Sequence, residues 1–322
     1  MRQKLRLLIS LVTLFLVTLF SFISCDLEDM FFKDSQENPF IKNVYNISNA
    51  KTTDALEFVV VADVHLDREQ KDSGVTRYDD NFEEFLSEYT TQNGDFTALL
   101  SLGDLVDEQY PVNEDVNSFI NRFAKYCSNL LITTVGNHDL HVANTTQWEN
   151  SMPNTPGITY YAKRMCTIKC GEVSIYITNN AKRLFGSQQL KYLEEALKKD
   201  TNKIKIVFAH ENVMSGGNLD QSLILFGNPD IYERNNFARI MEENNVSLVL
   251  TAHTHKGNAI YKYKEKTYEM NLCAYHARET ALNLESKGNW YTLSFDTTNK
   301  EIVIKTYAAA TKEQISENRF AY

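Results

Sequence analysis

The 322-residue chain reads as an α/β fold, and three observations carry that reading. Short, β-rich apolar runs recur between residues 57 and 251, helical patterns separate them, and most runs end in a metal-binding side chain. Continuous apolar runs mark strands buried on both faces, as parallel strands are. They fall at 57–62, 96–102, 130–135, 172–178, 204–209 and 246–251, with helical periodicity at 79–91, 113–127, 187–199 and 232–244. This alternation predicts a core with a largely parallel sheet.

Each element has a local cause. Val59-Val60-Val61 is β-branched and leads into Asp63-Val64-His65, while Leu99 to Leu102 leads into Gly103-Asp104. Leu131 to Val135 leads into Gly136-Asn137-His138-Asp139. Ile204 to Phe208 precedes His210, and Val246 to Leu250 precedes His253 and His255. In the helix at 187–199, Ser187 is the expected cap, and Leu190, Leu193 and Leu197 share a face. Lys198 and Lys199 stand in its last turn, where positive charge suits the helix dipole.

From Asn258 onward the texture changes. Runs at 259–263, 267–272, 290–295 and 302–307 are aromatic or β-branched and are separated by turn residues such as Asp296-Thr297-Thr298-Asn299. They read as antiparallel strands, expected to form a second sheet facing the first. The loop from His141 to Tyr161, with Pro153, Pro156 and Gly157, is expected to overhang the strand ends.

The N-terminus stands apart from the fold. Arg2, Lys4 and Arg6 precede an almost wholly apolar stretch, Leu7 to Phe20, which closes at Ser21-Phe22-Ile23-Ser24-Cys25. This is the three-part pattern of a secretory signal, and its end resembles a bacterial lipobox with Cys25 as the lipidated residue. Phe22 departs from the usual leucine. An uncleaved anchor over Leu5 to Ile23 and ordinary secretion are the other readings, and all three place the domain outside the cytoplasm. The expected division is a lipoprotein-type signal at 1–24, an acidic tether at 25–55 and one domain at 56–322.

Composition narrows the function. Apolar content of 43% and charged content of 23% are those of an ordinary globular protein. Formal net charge is -9, and loss of three positive charges with the signal leaves -12. Long nucleic acid is therefore not an expected partner, because phosphate backbones are gripped by clustered Lys and Arg. Cys127, Cys166, Cys170 and Cys273 remain after the signal and are expected to be buried and unpaired.

Ligands of open α/β sheets lie beyond the carboxyl ends of the strands, so the motifs converge there. Asp63 and His65, two apart on extended backbone, would share a face and grip one cation. Asp104 has two oxygens and can bridge two cations. The amide oxygen of Asn137 can complete the shell of a second metal, and His210, His253 and His255 complete the set of candidate ligands. His138 is then left to act on substrate, with Asp139 fixing its orientation or that of a neighbour. Three of the seven histidines at two strand ends, two of them spaced x-H-x-H, are poorly explained as structural.

The ordered set Asp63-x-His65, Gly103-Asp104, Gly136-Asn137-His138-Asp139, His210 and Ala252-His253-x-His255 resembles the calcineurin-like metallophosphoesterases. The resemblance covers about residues 56 to 260. It implies a four-layer α/β/β/α sandwich and hydrolysis of a phosphate mono- or diester, by in-line attack of a hydroxide bridging two metal ions. Asp63, His65 and His255 would hold one ion, Asn137, His210 and His253 the other, and Asp104 would bridge them. His138 would steady the transition state or protonate the leaving oxygen. Ala252 replaces the usual glycine, and Ala209-His210-Glu211-Asn212 lacks the proline often found after the histidine. Asp107 stands where purple acid phosphatases carry a tyrosine ligand, so an iron-tyrosinate enzyme is not implied.

Mixed oxygen and nitrogen ligands suit manganese, iron or zinc. The expected partners are a small or lipid-linked phosphate ester and the membrane, reached through the lipid anchor on the periplasmic side or cell surface. The alternative is a non-catalytic surface lipoprotein that uses the fold as a binding module. Tyr261, Tyr263, Tyr268, Tyr275, Trp290 and Tyr291 would form its surface, unless they fill the core of the later strands. Lys163, Arg164, Lys182, Arg183, His141 and His276 are candidate rim residues, with solvated strand and loop ends as their plainer role.

Overall fold

The apolar runs that end in the motifs divide between two sheets instead of lining up in one. The computed structural model describes residues 37–47, 52–66, 74–107, 114–140, 148, 159–181, 184–214, 231–278 and 286–322. A helical turn α1 (Pro39–Lys42) and strand β1 (Val44–Asn46) precede β2 (Glu57–Val61), β3 (Val75–Thr76) and helix α2 (Asp79–Asn93). Then come β4 (Ala98–Ser101), α3 (Glu114–Phe123), β5 (Leu130–Thr133), β6 (Thr159–Ala162), β7 (Cys166–Cys170) and β8 (Val173–Ile177). Helix α4 (Ser187–Lys199), β9 (Ile204–Glu211), α5 (Ile231–Glu243) and β10 (Leu248–Ala252) follow. The chain ends with β11 (Lys256–Lys262), β12 (Tyr268–Cys273), β13 (Ala277–Arg278), β14 (Ser286–Lys287), β15 (Asn289–Asp296), β16 (Glu301–Ala308) and β17 (Gln314–Ala321).

One sheet has the order β1-β7-β8-β9-β10-β12-β11 and the other β17-β16-β15-β2-β4-β5-β6; a small third sheet is β14-β13-β3. Both large sheets are mixed. The later strands therefore do not make a separate second sheet. β15 pairs antiparallel with β2, whereas β12 lies parallel to β10 and carries β11 antiparallel on its outer edge. The expectation failed because β-branched texture identifies a strand but not its partner, which tertiary packing chooses.

Alternation along each strand builds the cores. Phe58 and Val60 point between the sheets and meet Ile175, Ile206, Phe208 and Leu250. Val59 and Val61 point the other way, onto Phe82 and Phe85 of α2 and Phe119 and Phe123 of α3. Val207 and Val249 likewise meet Leu193 and Leu197 of α4 and Phe237 and Ile240 of α5. Each such side chain gains about 1.5–3 kcal/mol from burial. Strands with both faces covered draw apolar residues on both faces, which is why the runs are nearly continuous.

Three local expectations change. The residue flanking α4 is Gly186, not Ser187, and Glu233 Oε1 accepts from the Phe185 and Gly186 amides there at 2.7 Å. Within the expected tether, residues 37–47 are docked: Phe40 is buried, Asn38 caps α1, and β1 pairs with β7. Tyr275, Trp290 and Tyr291 are fully buried, which leaves Tyr261 as the exposed member of the aromatic set. Cys127, Cys166, Cys170 and Cys273 are buried, and among the described residues none is in a disulfide. Residues 1–36, with the signal and Cys25, lie outside the described residues, as do His141, Lys182, Arg183 and most of the 141–161 loop. Among the described residues no helix is long and apolar enough to cross a membrane.

Candidate metal centre

The carboxyl ends of β2, β4 and β5 in one sheet and of β9 and β10 in the other meet in one place. Beyond β2 the backbone is not extended. Asp63 and His65 both adopt φ 47°, so the same-face argument for this pair fails, and their convergence has another cause. Asp63 N donates to Gly103 O at 3.2 Å and His65 N to Asp104 O at 2.9 Å, so the segment after β2 runs locked to the segment after β4. Asp104, His253 and His255 are also left-handed, at φ 51°, 70° and 60°. Such conformations cost about 1–3 kcal/mol each and persist only where surroundings impose them. Ala252 is the last residue of an extended strand, so the absent glycine is not missed there.

Two glycines allow the close approach. A Cβ on Gly103 would lie 2.8 Å from His210 Nδ1, and one on Gly136 would lie 2.0 Å from Asp104 Oδ1.

Asp63, His65 and Asp104 are buried, and His255 is 21% exposed in its side chain. His65 Nε2 and His255 Nε2 face each other at 3.2 Å. His255 Nε2 is 3.5 Å from Asp63 Oδ1, and His65 Nε2 is 3.6 Å from Asp104 Oδ2. Ligand atoms of these four residues all lie within 4.8 Å of one another, as do those of Asp104, His210 and His253. Asp104 is common to both groups.

His210 defines the second group. Its Nδ1 is 2.7 Å from Leu102 O, which can only accept, so Nδ1 carries hydrogen and Nε2 is the nitrogen turned toward the centre. That Nε2 is 2.9 Å from Asn137 Oδ1 and 3.2 Å from Asp104 Oδ2. Asp63 Oδ1 and Asp104 Oδ2 are buried without a hydrogen-bond partner. Carboxylate and amide oxygens gathered in a buried site are unfavourable unless something positive lies among them. These residues fit a pair of cations. Burial opposes ionisation of Asp63, yet the charge of His255 outweighs it and holds the carboxyl at about 2. Burial likewise opposes ionisation of Asp104, and His210 and His65 drive it well below the usual carboxylate range.

His138 stands beside this arrangement, with its side chain 22% exposed. Its N–H donates to Asp104 Oδ1 at 2.8 Å, and its Nδ1 is 3.0 Å from both Asp107 O and Asp107 Oδ1. Asp139 does not orient the His138 ring. Its Oδ2 accepts from Asp104 N at 2.9 Å and Gly136 N at 2.8 Å, and Oδ1 from Val106 N at 3.2 Å. The buried carboxylate ties the second motif to the third. Burial and the Asp104 charge push its carboxyl up to about 7.

Two functional neighbours escaped the sequence reading. Asp107 Oδ1 is 3.0 Å from His65 Nδ1 as well as from His138 Nδ1, so one carboxylate backs both imidazoles. Its spacing from Asp104, three residues on in the same strand exit, was a usable signal. Asn180 accepts from His210 N at 2.9 Å and Glu211 N at 3.0 Å and donates to Glu211 O at 2.6 Å. It lies just past β8, and nothing in its sequence context marks it. Of the rim candidates, Lys163 and Arg164 are half-buried after β6, and His276 is wholly buried behind His65 and His255.

The fold is similar to that of a dimetal phosphatase from Danio rerio, with a TM-score of 0.56 and 11% identity over 83% of this chain and 99% of that one. It is also similar to GAP50, the anchor in the inner membrane complex of Plasmodium, at TM-score 0.54 and 13% identity over 83% and 88%. At these identities the likeness is one of fold. No curated protein matches the chain in sequence. Residues 56–257, the stretch that carries every motif from Asp63 to His255, match the calcineurin-like phosphoesterase family model, and the chain belongs to that family.

Proposed function

We propose that this chain is a metal-dependent phosphoesterase that hydrolyses a phosphate mono- or diester outside the cytoplasm, tethered by lipid on Cys25. The observation that carries the reading is the meeting of three potential ligand atoms, with Asn137 Oδ1 and Asp104 Oδ2 both within 3.2 Å of His210 Nε2. In this reading Asp63, His65 and His255 hold one cation, Asn137, His210 and His253 hold the other, and Asp104 spans both. When bound, two cations acidify water at neutral pH and screen the charge that develops on phosphoryl oxygens.

The chain's own groups do the rest. Leu102 O and Asn180 hold His210 in one tautomer and one place. His138 has Nδ1 occupied by Asp107, so hydrogen bonding or proton donation to the leaving oxygen falls to Nε2. Asp107 holds the ring in place for that donation. Manganese, iron and zinc suit the ligand set. Net negative charge and the lipobox-like Cys25 favour a small or lipid-linked phosphate over long nucleic acid.

A second reading has one observation behind it: GAP50, of similar fold, is described as an anchor. A chain serving that way would bind metal without turning over an ester. Both readings meet in one experiment on purified full-length protein, assayed with a chromogenic phosphomonoester and the matching diester, metal-stripped and after manganese is restored. Turnover only with metal is expected, and the preferred ester names the substrate class. Two bound metals with no turnover of either ester would favour the binding module. Tethering is tested separately: Cys25→Ser is expected to abolish fatty-acid labelling and release the protein from membranes.

A further inference from the structure

His276 is buried beside the candidate metal centre and belongs to neither ligand group. The segment that carries it follows β12, and Tyr275 N donates to Ala62 O at 2.7 Å, which lays it along the exit of β2. One residue further, His276 Nδ1 is 2.9 Å from Asp63 O. A carbonyl oxygen only accepts, so the hydrogen is on Nδ1. Ser286 Oγ donates to His276 O at 2.6 Å and fixes the residue from β14. The imidazole also stands edge-on to two others, 5.3 Å from His65 and 5.2 Å from His255 between centroids, at 87° to each.

His276 thus touches the Asp63 backbone and the rings of His65 and His255, the three residues assigned above to one cation. Asp63 is left-handed at φ 47°, a conformation uncommon for residues other than glycine. Its N–H is held by Gly103 O, its Oδ2 by the His253 amide and its carbonyl by His276. We propose that His276 is a positioning residue for the Asp63–His65–His255 half of the centre. Its Nδ1–H fixes the Asp63 carbonyl, and its ring backs both imidazoles. It neither ligates a cation nor touches substrate. This rests on the metal-centre reading given under Proposed function.

The test uses full-length protein with His276→Asn, His276→Gln and His276→Ala. Manganese affinity is measured by competition with a chromogenic chelator, and circular dichroism of the stripped proteins controls for folding. The side-chain nitrogen of Asn sits where Nδ1 does, one bond from Cγ, whereas that of Gln reaches toward Nε2. His276→Gln and His276→Ala are expected to lose about 10–100-fold in affinity at one of two sites, the scale of a lost outer hydrogen bond. His276→Asn is expected to recover most of that loss. Equal losses in the Asn and Gln variants would overturn the proposal, and so would wild-type affinity at both sites in His276→Ala. Should His276→Ala fail to fold, the Asn and Gln pair still decides. Wild-type protein that binds no manganese would instead overturn the metal-centre reading beneath it.

Discussion

Gly136 lies so close to Asp104 that a Cβ on it would stand 2.0 Å from the carboxylate Oδ1 and 2.3 Å from the Asp104 amide. The third motif is thereby pressed onto the second, and Asp139 secures the contact by accepting from both backbones. Gly136→Ala must push these segments apart. Overpacking of this kind costs about 1–3 kcal/mol, and here it also moves the carboxylate common to both ligand groups. The variant is expected to melt several degrees lower and to lose metal, both measured on the same preparation. Full metal content in a destabilised Gly136→Ala protein would show that Asp104 does not depend on the contact.

His138 gives a different signature. Its contacts run to Asp107 and to the Asp104 carboxylate through its own backbone N–H, which substitution leaves in place. His138→Ala is expected to keep its metals while kcat falls about 10²–10⁴-fold, the range of general acid–base contributions. Asp107→Asn should lower the rate less, by about 10–100-fold, because the ring keeps a backbone acceptor in Asp107 O. Metal analysis beside kcat separates the two roles. A His138→Ala protein that lost its metals would refute the assignment of His138 to chemistry.

Asn180 anchors the second ligand group from behind. Its side chain accepts the amides of His210 and Glu211, so removing it leaves two buried N–H groups without their acceptor. Each such loss costs about 1–3 kcal/mol. Asn180→Ala is expected to weaken metal binding about 10–100-fold and to raise the metal concentration that half-restores activity, with kcat at saturation little changed. Unaltered metal dependence would reduce Asn180 to a turn residue.

Much of this was legible in the sequence because the physics was local. The strand residues 58–61 are buried on both faces and therefore continuously apolar, and α2 and α4 carry their apolar faces at helical spacing. The Asp, Asn and His residues that cluster could be picked out because each strand exit is short, leaving little chain between apolar run and side chain. Sheet membership was not legible: β12 and β15 have similar texture, yet one lies parallel to β10 and the other antiparallel to β2. The left-handed backbone at Asp63 and His65 was hidden for a related reason. It is imposed by hydrogen bonds to Gly103 and Asp104, about forty residues away. His276 and Asn180 act through backbone contacts of the same long-range kind, which residue type does not announce.

Asp200 tests the fold away from the metal centre. Burial raises its carboxyl pKa, but hydrogen bonds from Ser174, Tyr176, the Asn202 amide and Lys169 outweigh that and hold it below the ordinary 3.8. Tyr176 OH donates to Oδ2 at 2.7 Å, and Lys169 Nζ and Asn202 N reach Oδ1 at 3.1 and 3.2 Å. A carboxyl whose folded pKa is depressed stabilises the fold fully above its unfolded value. That stability is lost as pH falls through the folded value. Asp200→Asn should therefore be less stable than wild type at pH 7, by on the order of 1 kcal/mol once partial solvent screening is allowed for. The gap should begin to close as pH drops below about 4 and be gone once pH has passed below the folded value, where both side chains are neutral. Paired urea melts across that range measure it, and a gap that stayed constant with pH would mean that shape, not charge, is what Asp200 contributes.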